Sequence, residues 1–380
     1  MAPHPHFTSE EFSDRVAGLR AGLREAEVAI GLFDEIEAMT WIAGYGNSEN
    51  RWRCVGVPVD GAPFFLIRAL DAGPCRARSW IEDVPTFRDW DGPAAALASV
   101  LAGRGLDAAR IGLDYGSYAM TARRLEELRA ALPRATFVDL GPLVSTLRLY
   151  KSPAEIDLIR RAAGIADGAL ARAASTCVPG ATQRDVARAV QNALLDLGAD
   201  PGLPGPISAG SGWDFLHAHM RDGPLSPGDV VHVEVVPRIG GYGARIMRCI
   251  TVGDAPSPDL AQACAVLADI QDRQIAAMRP GARADAVDAV LRDGVIAAGL
   301  RETYDNITGY TLGLYAAQTP RTSDFTRIFH PGADWILSPG MVFHMYAAAA
   351  GASLSETVLI TDNGAERLTR TPRTLLRGGA

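Results

Sequence analysis

Cysteine is sparse, and none of it is spaced for a shared job. Cys54, Cys75, Cys177, Cys249 and Cys264 are the only five in 380 residues, and no two form a CxxC pair. An odd, scattered set argues against a disulfide framework or a zinc knuckle, and for reduced thiols in a cytoplasm. A long apolar run is also lacking. The nearest, Ala347 to Ala350, falls far short of the ~20 residues a membrane-spanning helix needs. There is no basic excess: 37 Lys and Arg against 44 Asp and Glu leave a net charge of −7, which gives no electrostatic basis for binding nucleic acid. The polar start, Met1 to Ser13, has no charged n-region followed by an apolar core, so it does not read as a secretory leader. No repeat of roughly 20–50 residues is visible. What remains is a composition of 48% hydrophobic and 21% charged residues, ordinary for a folded soluble chain and long enough for two domains.

Residues 1–146 alternate helical and strand patterns. Phe12, Val16, Leu19 and Leu23 recur at helical spacing within Phe7–Ala26, and further helices are expected over Pro93–Arg104 and Thr121–Leu132. Short apolar strands are expected at Val28–Phe33, Cys54–Val59, Pro63–Ile67, Arg110–Leu113 and Thr136–Val138. This is an α/β domain. Residues 147–380 read as α+β, with helices on one side of the strands. Ser152-Pro153-Ala154-Glu155 opens a long helix with an N-cap, a proline at the first helical position and the acid of a capping box. Helices follow over Gln183–Leu197, Asp259–Met278 and Ala284–Ala298, and late strands at Met341–Met345 and Ser355–Ile360. The two halves of this region resemble weak duplicates, each helix–helix–hairpin.

The stretch from Gly228 to Gly253 reads as a hairpin, Val231-His232-Val233-Glu234-Val235 turning at Gly240-Gly241 into Tyr242–Val252. Glu234 and Arg245 are charges within apolar runs. Such charges are costly to bury unless paired or used. Either a solvent-facing ion pair or a functional pair satisfies the pattern.

Taken in order, several fragments resemble the creatinase/methionine aminopeptidase/Xaa-Pro dipeptidase family, whose catalytic domain has the pita-bread fold. They are Leu147 to Ile156, Gly228-Asp229-Val230-Val231, Gly241-Tyr242 with Arg248, Pro280-Gly281-Ala282, Pro339 to Phe343, and Thr357 to Thr361 with Gly364 and Leu368-Thr369. Residues 1–140 resemble the family's N-terminal domain. The resemblance implies an α/β N-terminal domain followed by an α+β pita-bread domain, and a homodimer with the Asn47–Arg53 segment at the partner's border.

Metal-dependent members hold two divalent ions with two Asp, one His and two Glu, a donor set suited to activating a bridging water. The resemblance places Glu234 at the first of these positions, Arg245 at the second, Tyr310 at the histidine, Tyr346 at the next and Ser355 at the last, with Glu356 adjacent. A second family histidine falls on Ala317. Two unit charges ~4 Å apart interact by about 4 kcal/mol at an effective dielectric near 20, so a guanidinium would strongly repel the ion it replaces. The resemblance thus implies no metal and no other cofactor, closer to metal-free members such as creatinase and ectoine hydrolase. His217, just ahead of the first ligand strand, matches the histidine those members use for acid–base attack on a C–N bond.

The expected enzyme is a hydrolase, or a lyase or cyclase, for a small polar metabolite. His217 is its expected general base, Glu234 lies in the catalytic group, and Tyr310 or Tyr346 donates to an oxyanion or leaving group. Arg245 is the expected carboxylate anchor. His344 lies one strand period from Tyr346 and so shares its face. Trp213, His219, Tyr242 and Glu356 complete the expected substrate-contacting set, although structural roles weigh more for Tyr242 and Arg248. Two alternatives stay open: a residual metallopeptidase using Glu234, His217 and Glu356, and a non-catalytic binding protein.

Overall fold

The computed structural model describes residues 4–46, 51–210, 218–253, 257–316 and 325–379. The chain divides after Arg148 into two compact units. Among the described residues no helix is long and apolar enough to cross a membrane.

The first unit holds a six-stranded mixed sheet, β1 (Ile30–Phe33), β2 (Cys54–Pro58), β3 (Phe64–Arg68), β4 (Thr86–Phe87), β5 (Arg110–Leu113) and β6 (Thr136–Asp139), in the order β4-β3-β2-β1-β5-β6. Its helices are α1 (Ser9–Glu25), α2 (Ile36–Ala43), α3 (Ala72–Arg78), α4 (Pro93–Ala102), α5 (Ala122–Ala131) and α6 (Leu143–Leu147). Helix α1 starts at Ser9, capped by Thr8, whose side chain accepts a hydrogen bond from the Glu11 N–H, and its first turn is acidic. Helix α2 has no sequence signature. Seven of its eight residues are buried, so it shows no polar face from which to read a helical period. Of the Asn47–Arg53 segment, Asn47–Asn50 lie outside the described residues. Trp52 is buried, its indole donating to Asp34 Oδ2 at 2.8 Å; Arg53 is buried as well, and Arg51 is exposed.

A small cavity in this unit is lined by Phe33, Asp34, Glu35, Ala38, Asp114, Gly141, Val144 and Ser145. Burial, reinforced by the Asp114, Glu37 and Asp34 carboxylates and opposed by Arg148, pushes Glu35 up from 4.5 to about 7. The folded state therefore holds this proton more tightly than the unfolded chain. Stability present below pH 4.5 is lost as the pH rises through about 7. Glu35→Gln is expected to stabilise the protein at pH 8 by about 2 kcal/mol and to have little effect at pH 4. Urea unfolding at both values checks this, and an equal effect at the two would rule it out.

In the second unit, α7 (Pro153–Thr176) starts at the capping box read from the sequence. Ser152 Oγ accepts from the Glu155 N–H at 3.2 Å, and Glu155 Oε2 accepts from the Ser152 N–H at 2.8 Å. The other helices are α8 (Gln183–Asp196), α9 (Pro258–Ala277) and α10 (Ala284–Ala297). The strands are β7 (Ile207–Gly210), β8 (Val230–Val235), β9 (Arg238–Ile239), β10 (Tyr242–Gly243), β11 (Ile246–Thr251), β12 (Gly309–Thr311), β13 (Ile328–Phe329), β14 (Val342–Ala349), β15 (Ala352–Thr361), β16 (Gly364–Arg367) and β17 (Leu376–Arg377). The main sheet runs β13-β12-β14-β15-β11-β8-β7, with β16 on β15 and β17 on β11. A helix pair precedes each central hairpin, α7–α8 before β8/β11 and α9–α10 before β14/β15.

Register decides what the sheet presents. Val233, Arg248, Leu354 and Ala347 are directly opposite one another across β8, β11, β15 and β14, so their side chains share a face. Leu354 and Ala347 pack there with Leu267 and Ile270 of α9 and Leu291 of α10. One residue along, Glu234, Met247, Ser355 and Tyr346 form the next row, which points to the other face. That second face carries Glu234, Ser355 and Tyr346, while the first carries the buried Arg248.

Candidate functional site

The expected single strand from Tyr242 to Val252 is interrupted at Ala244-Arg245. Thr357 of β15 explains the break: its Oγ1 accepts from the Arg245 N–H and donates to the Arg245 carbonyl, both at 2.9 Å. A side chain thus takes the hydrogen bonds a strand partner would otherwise supply. The break positions the Arg245 guanidinium against Glu234. Its Nε donates to Glu234 Oε1 at 2.8 Å, and Nη2 donates to the same oxygen. Both residues are buried, Glu234 4% and Arg245 6% exposed. This excludes the solvent-facing ion pair that the sequence also allowed.

Beyond this pair lies an aromatic group. The guanidinium carbon of Arg245 is 5.3 Å from the centre of the Tyr310 ring, within cation–π range. The Tyr310 hydroxyl is 2.8 Å from His344 Nδ1, and the two rings meet edge to face. His344 in turn stacks on Tyr346, with ring centres 5.6 Å apart. His344 is buried, while Tyr310 and Tyr346 are partly exposed and so can meet a small molecule. Burial pushes the Tyr346 phenol above its ordinary value. The Asn306 contact opposes this shift, the Glu234 carboxylate adds to it, and Arg245 opposes it. The structure therefore gathers Glu234, Arg245, Tyr310, His344 and Tyr346, all expected from the sequence. Ser355 joins them, fully buried, its Oγ without a hydrogen-bond partner among the described residues.

Two expected members do not join. Glu356 follows Ser355 directly and so points to the opposite face. There it takes hydrogen bonds from Arg248 Nη2 (2.6 Å), Arg373 Nη1 (2.9 Å) and Thr369 Oγ1. Its carboxylate is engaged by these three donors and does not share the face of Ser355. Tyr242 is buried, and its hydroxyl donates to Glu155 Oε1, the capping acid of α7. Its role is to fix that helix to β10. Arg248 is likewise structural, donating also to the carbonyls of Met247, Ser355, Thr371 and Pro372. His232, one strand period from Glu234, is fully buried with Nδ1 2.7 Å from Ser353 Oγ. His219 is exposed. Trp213 and His217 lie outside the described residues. Asn306, which donates to the Tyr346 hydroxyl, was not expected; it sits in a loop without a motif.

Five positions that the resemblance assigns to metal ligands thus hold one carboxylate, one guanidinium, two phenols and one hydroxyl. Among the described residues no group of three or more His, Cys, Asp or Glu could hold a metal ion. The single carboxylate is already engaged by a fixed cation. This donor set does not fit a divalent pair.

Comparison with known proteins adds the following. Residues 157–362 match the model of metallopeptidase family M24, and residues 15–150 match the creatinase/prolidase N-terminal domain. A probable dipeptidase PepE from Mycobacterium tuberculosis is 27% identical over 385 residues, covering 97% of both chains. Ectoine hydrolase from Halomonas elongata is 26% identical over 398 residues, covering 97% of this chain and 98% of its own. The crystal structure of dipeptidase PepE from Mycobacterium ulcerans superimposes with a TM-score of 0.81 at 27% identity, covering 98% of this chain and 99% of that one.

Proposed function

The chain belongs to metallopeptidase family M24 and carries a creatinase/prolidase N-terminal domain ahead of a pita-bread domain; from that premise we propose that it hydrolyses a C–N bond in a small, carboxylate-bearing metabolite without a metal. The observation that carries the reading is the Arg245–Glu234 pair. The resemblance assigns two carboxylate ligands to these positions, and here they hold a carboxylate bound to a guanidinium with the Tyr310 ring beside it. Its likeness to ectoine hydrolase fits a small-metabolite substrate, and its likeness to PepE keeps dipeptides in view.

Hydrolysis requires a water oxygen to add to the carbon, a base to take the water's proton, and a donor to protonate the departing nitrogen. His217 is the proposed base. Tyr310 is the proposed proton donor to the nitrogen, recharged through His344, whose Nδ1 lies 2.8 Å away. Tyr346 donates to the developing oxyanion. Glu234 fixes the guanidinium of Arg245 and uses two of its five N–H groups on one oxygen. The guanidinium then faces the substrate carboxylate.

The test combines metal analysis with substrate consumption. Protein purified without chelators is expected to carry less than about a tenth of an equivalent of metal per chain. A thermal-shift panel of dipeptides and cyclic amidines should give a stabilising compound that is then consumed. Its turnover should be insensitive to EDTA and should fall about 100-fold or more in His217→Ala. Stoichiometric metal whose removal abolishes turnover, and whose return restores it, would establish the metallopeptidase reading in its place. A stabilising compound that is never consumed would establish a binding protein.

A further inference from the structure

Asn306 lies between α10 and β12, and its carboxamide meets three polar neighbours. Oδ1 accepts from Arg301 Nη1 at 2.8 Å, while Nδ2 donates to the Ile307 carbonyl at 2.9 Å and to Tyr346 Oη at 3.3 Å. A guanidinium only donates and a backbone carbonyl only accepts, so these neighbours fix which end of the amide is oxygen and which is nitrogen. The nitrogen therefore faces Tyr346, and the phenol oxygen is the acceptor in that contact. A phenol has one proton, so the Tyr346 proton must point elsewhere.

The loop that holds Asn306 is itself held. Arg292 of α10 donates to the carbonyls of Tyr304 and Asn306, the latter at 3.1 Å, and pairs with Asp288 at 2.7 Å. Asp288 accepts from Thr308 Oγ1 at 2.7 Å, and Gln274 of α9 donates to the same hydroxyl at 3.0 Å. The Thr308 carbonyl accepts from the Tyr346 N–H at 3.1 Å, closing the circuit. Asn306 is thus fixed from two helices.

We infer that Asn306 is a positioning residue that commits Tyr346 to donate its proton to the substrate, as an oxyanion or leaving-group donor. A neighbour that accepts would reverse this polarity, drawing the phenol proton to itself. The inference rests on the proposed hydrolytic role of this site, and its test has one arm that does not need turnover.

Asn306→Asp presents an oxygen where the nitrogen was, and Asn306→Leu removes the contact at similar size. With a consumed substrate in hand, Tyr346→Phe is expected to lower kcat about 100-fold with little change in KM. Asn306→Asp should approach that loss alone and add nothing in the Tyr346→Phe background. Equal losses in both backgrounds would mean that Asn306 supports the fold and does not act through Tyr346, which overturns the inference. In the other arm, the protein labelled with tyrosine carrying 13C at the phenol carbon is titrated by NMR. The Tyr346 signal should titrate at higher pH in Asn306→Asp than in the parent, and an unmoved titration also overturns the inference. Asn306→Leu, read by the same titration, keeps the result interpretable if the aspartate variant folds poorly. Failure to find any turnover would count against the hydrolytic reading alone, because the NMR arm would still report the polarity of the contact.

Discussion

Arg245→Met is expected to destabilise the second unit by about 3–5 kcal/mol. The loss arises because the substitution takes the guanidinium away from a buried carboxylate. Glu234 is 4% exposed, and the Arg245 side chain holds it in an ion pair. Glu234→Gln takes away the other half of the pair and should also lose roughly 3–5 kcal/mol. Replacing both residues, as Glu234→Gln with Arg245→Met, removes the buried charges together and should recover most of the loss. Urea unfolding of the three variants distinguishes these cases. Losses below about 1 kcal/mol for either single variant would place the pair among solvent-screened surface bridges and remove the basis for reading it as the core of the site.

This pair shows how far the sequence could be read. That Glu234 and Arg245 belong together followed from their places in a family pattern. That they touch depends on the break at Ala244-Arg245, which is made by Thr357, more than a hundred residues away in sequence and adjacent only through the β11–β15 pairing. Local alternation could not reveal it. Where period two alone sufficed, it served well: it put His344 on the face of Tyr346, and the structure stacks the two rings. The same rule, applied to Ser355, separates it from Glu356, since neighbours in a strand face opposite ways. By that rule Glu356 cannot replace Ser355 on the face of Tyr346. The capping box at Ser152 was legible because all its parts are local. Helix α2 was not, because burial on nearly every side erases the polar stripe that marks a helix. Asn306 was not legible either. Its significance comes from Arg301, Ile307 and Tyr346 converging on one amide, and no spacing encodes that.

Glu356, removed from the site, becomes the position where a single substitution should damage the fold most. Its side chain is fully buried and gathers two guanidinium groups that are themselves nearly buried, Arg248 and Arg373, with 1% and 8% of their side chains exposed. Glu356→Gln keeps the size and leaves both cations without this carboxylate. Arg373 retains Asp272, 3.0 Å away and largely exposed, but Arg248 retains the backbone carbonyls of Met247, Ser355, Thr371 and Pro372. A broken buried pair costs about 3–5 kcal/mol, and here one carboxylate serves two cations, so the upper part of that range is expected. The damage should also have a location. Arg248 donates to the carbonyls of Thr371 and Pro372, and Thr369 donates to Glu356, so the carboxylate holds the segment from Thr369 to Arg373 against the sheet. In Glu356→Gln this segment should become accessible to trypsin at Arg370 and Arg373 while the core of the unit stays protected. The surface pair Arg160–Glu366, with 48% and 42% of its side chains exposed, is the control, and Glu366→Gln should change stability by less than about 1 kcal/mol. If the two glutamine variants unfold at the same urea concentration, the buried cluster contributes nothing that a solvent-exposed ion pair does not. Glu356 would then have to be kept for some reason other than holding the C-terminal segment in place.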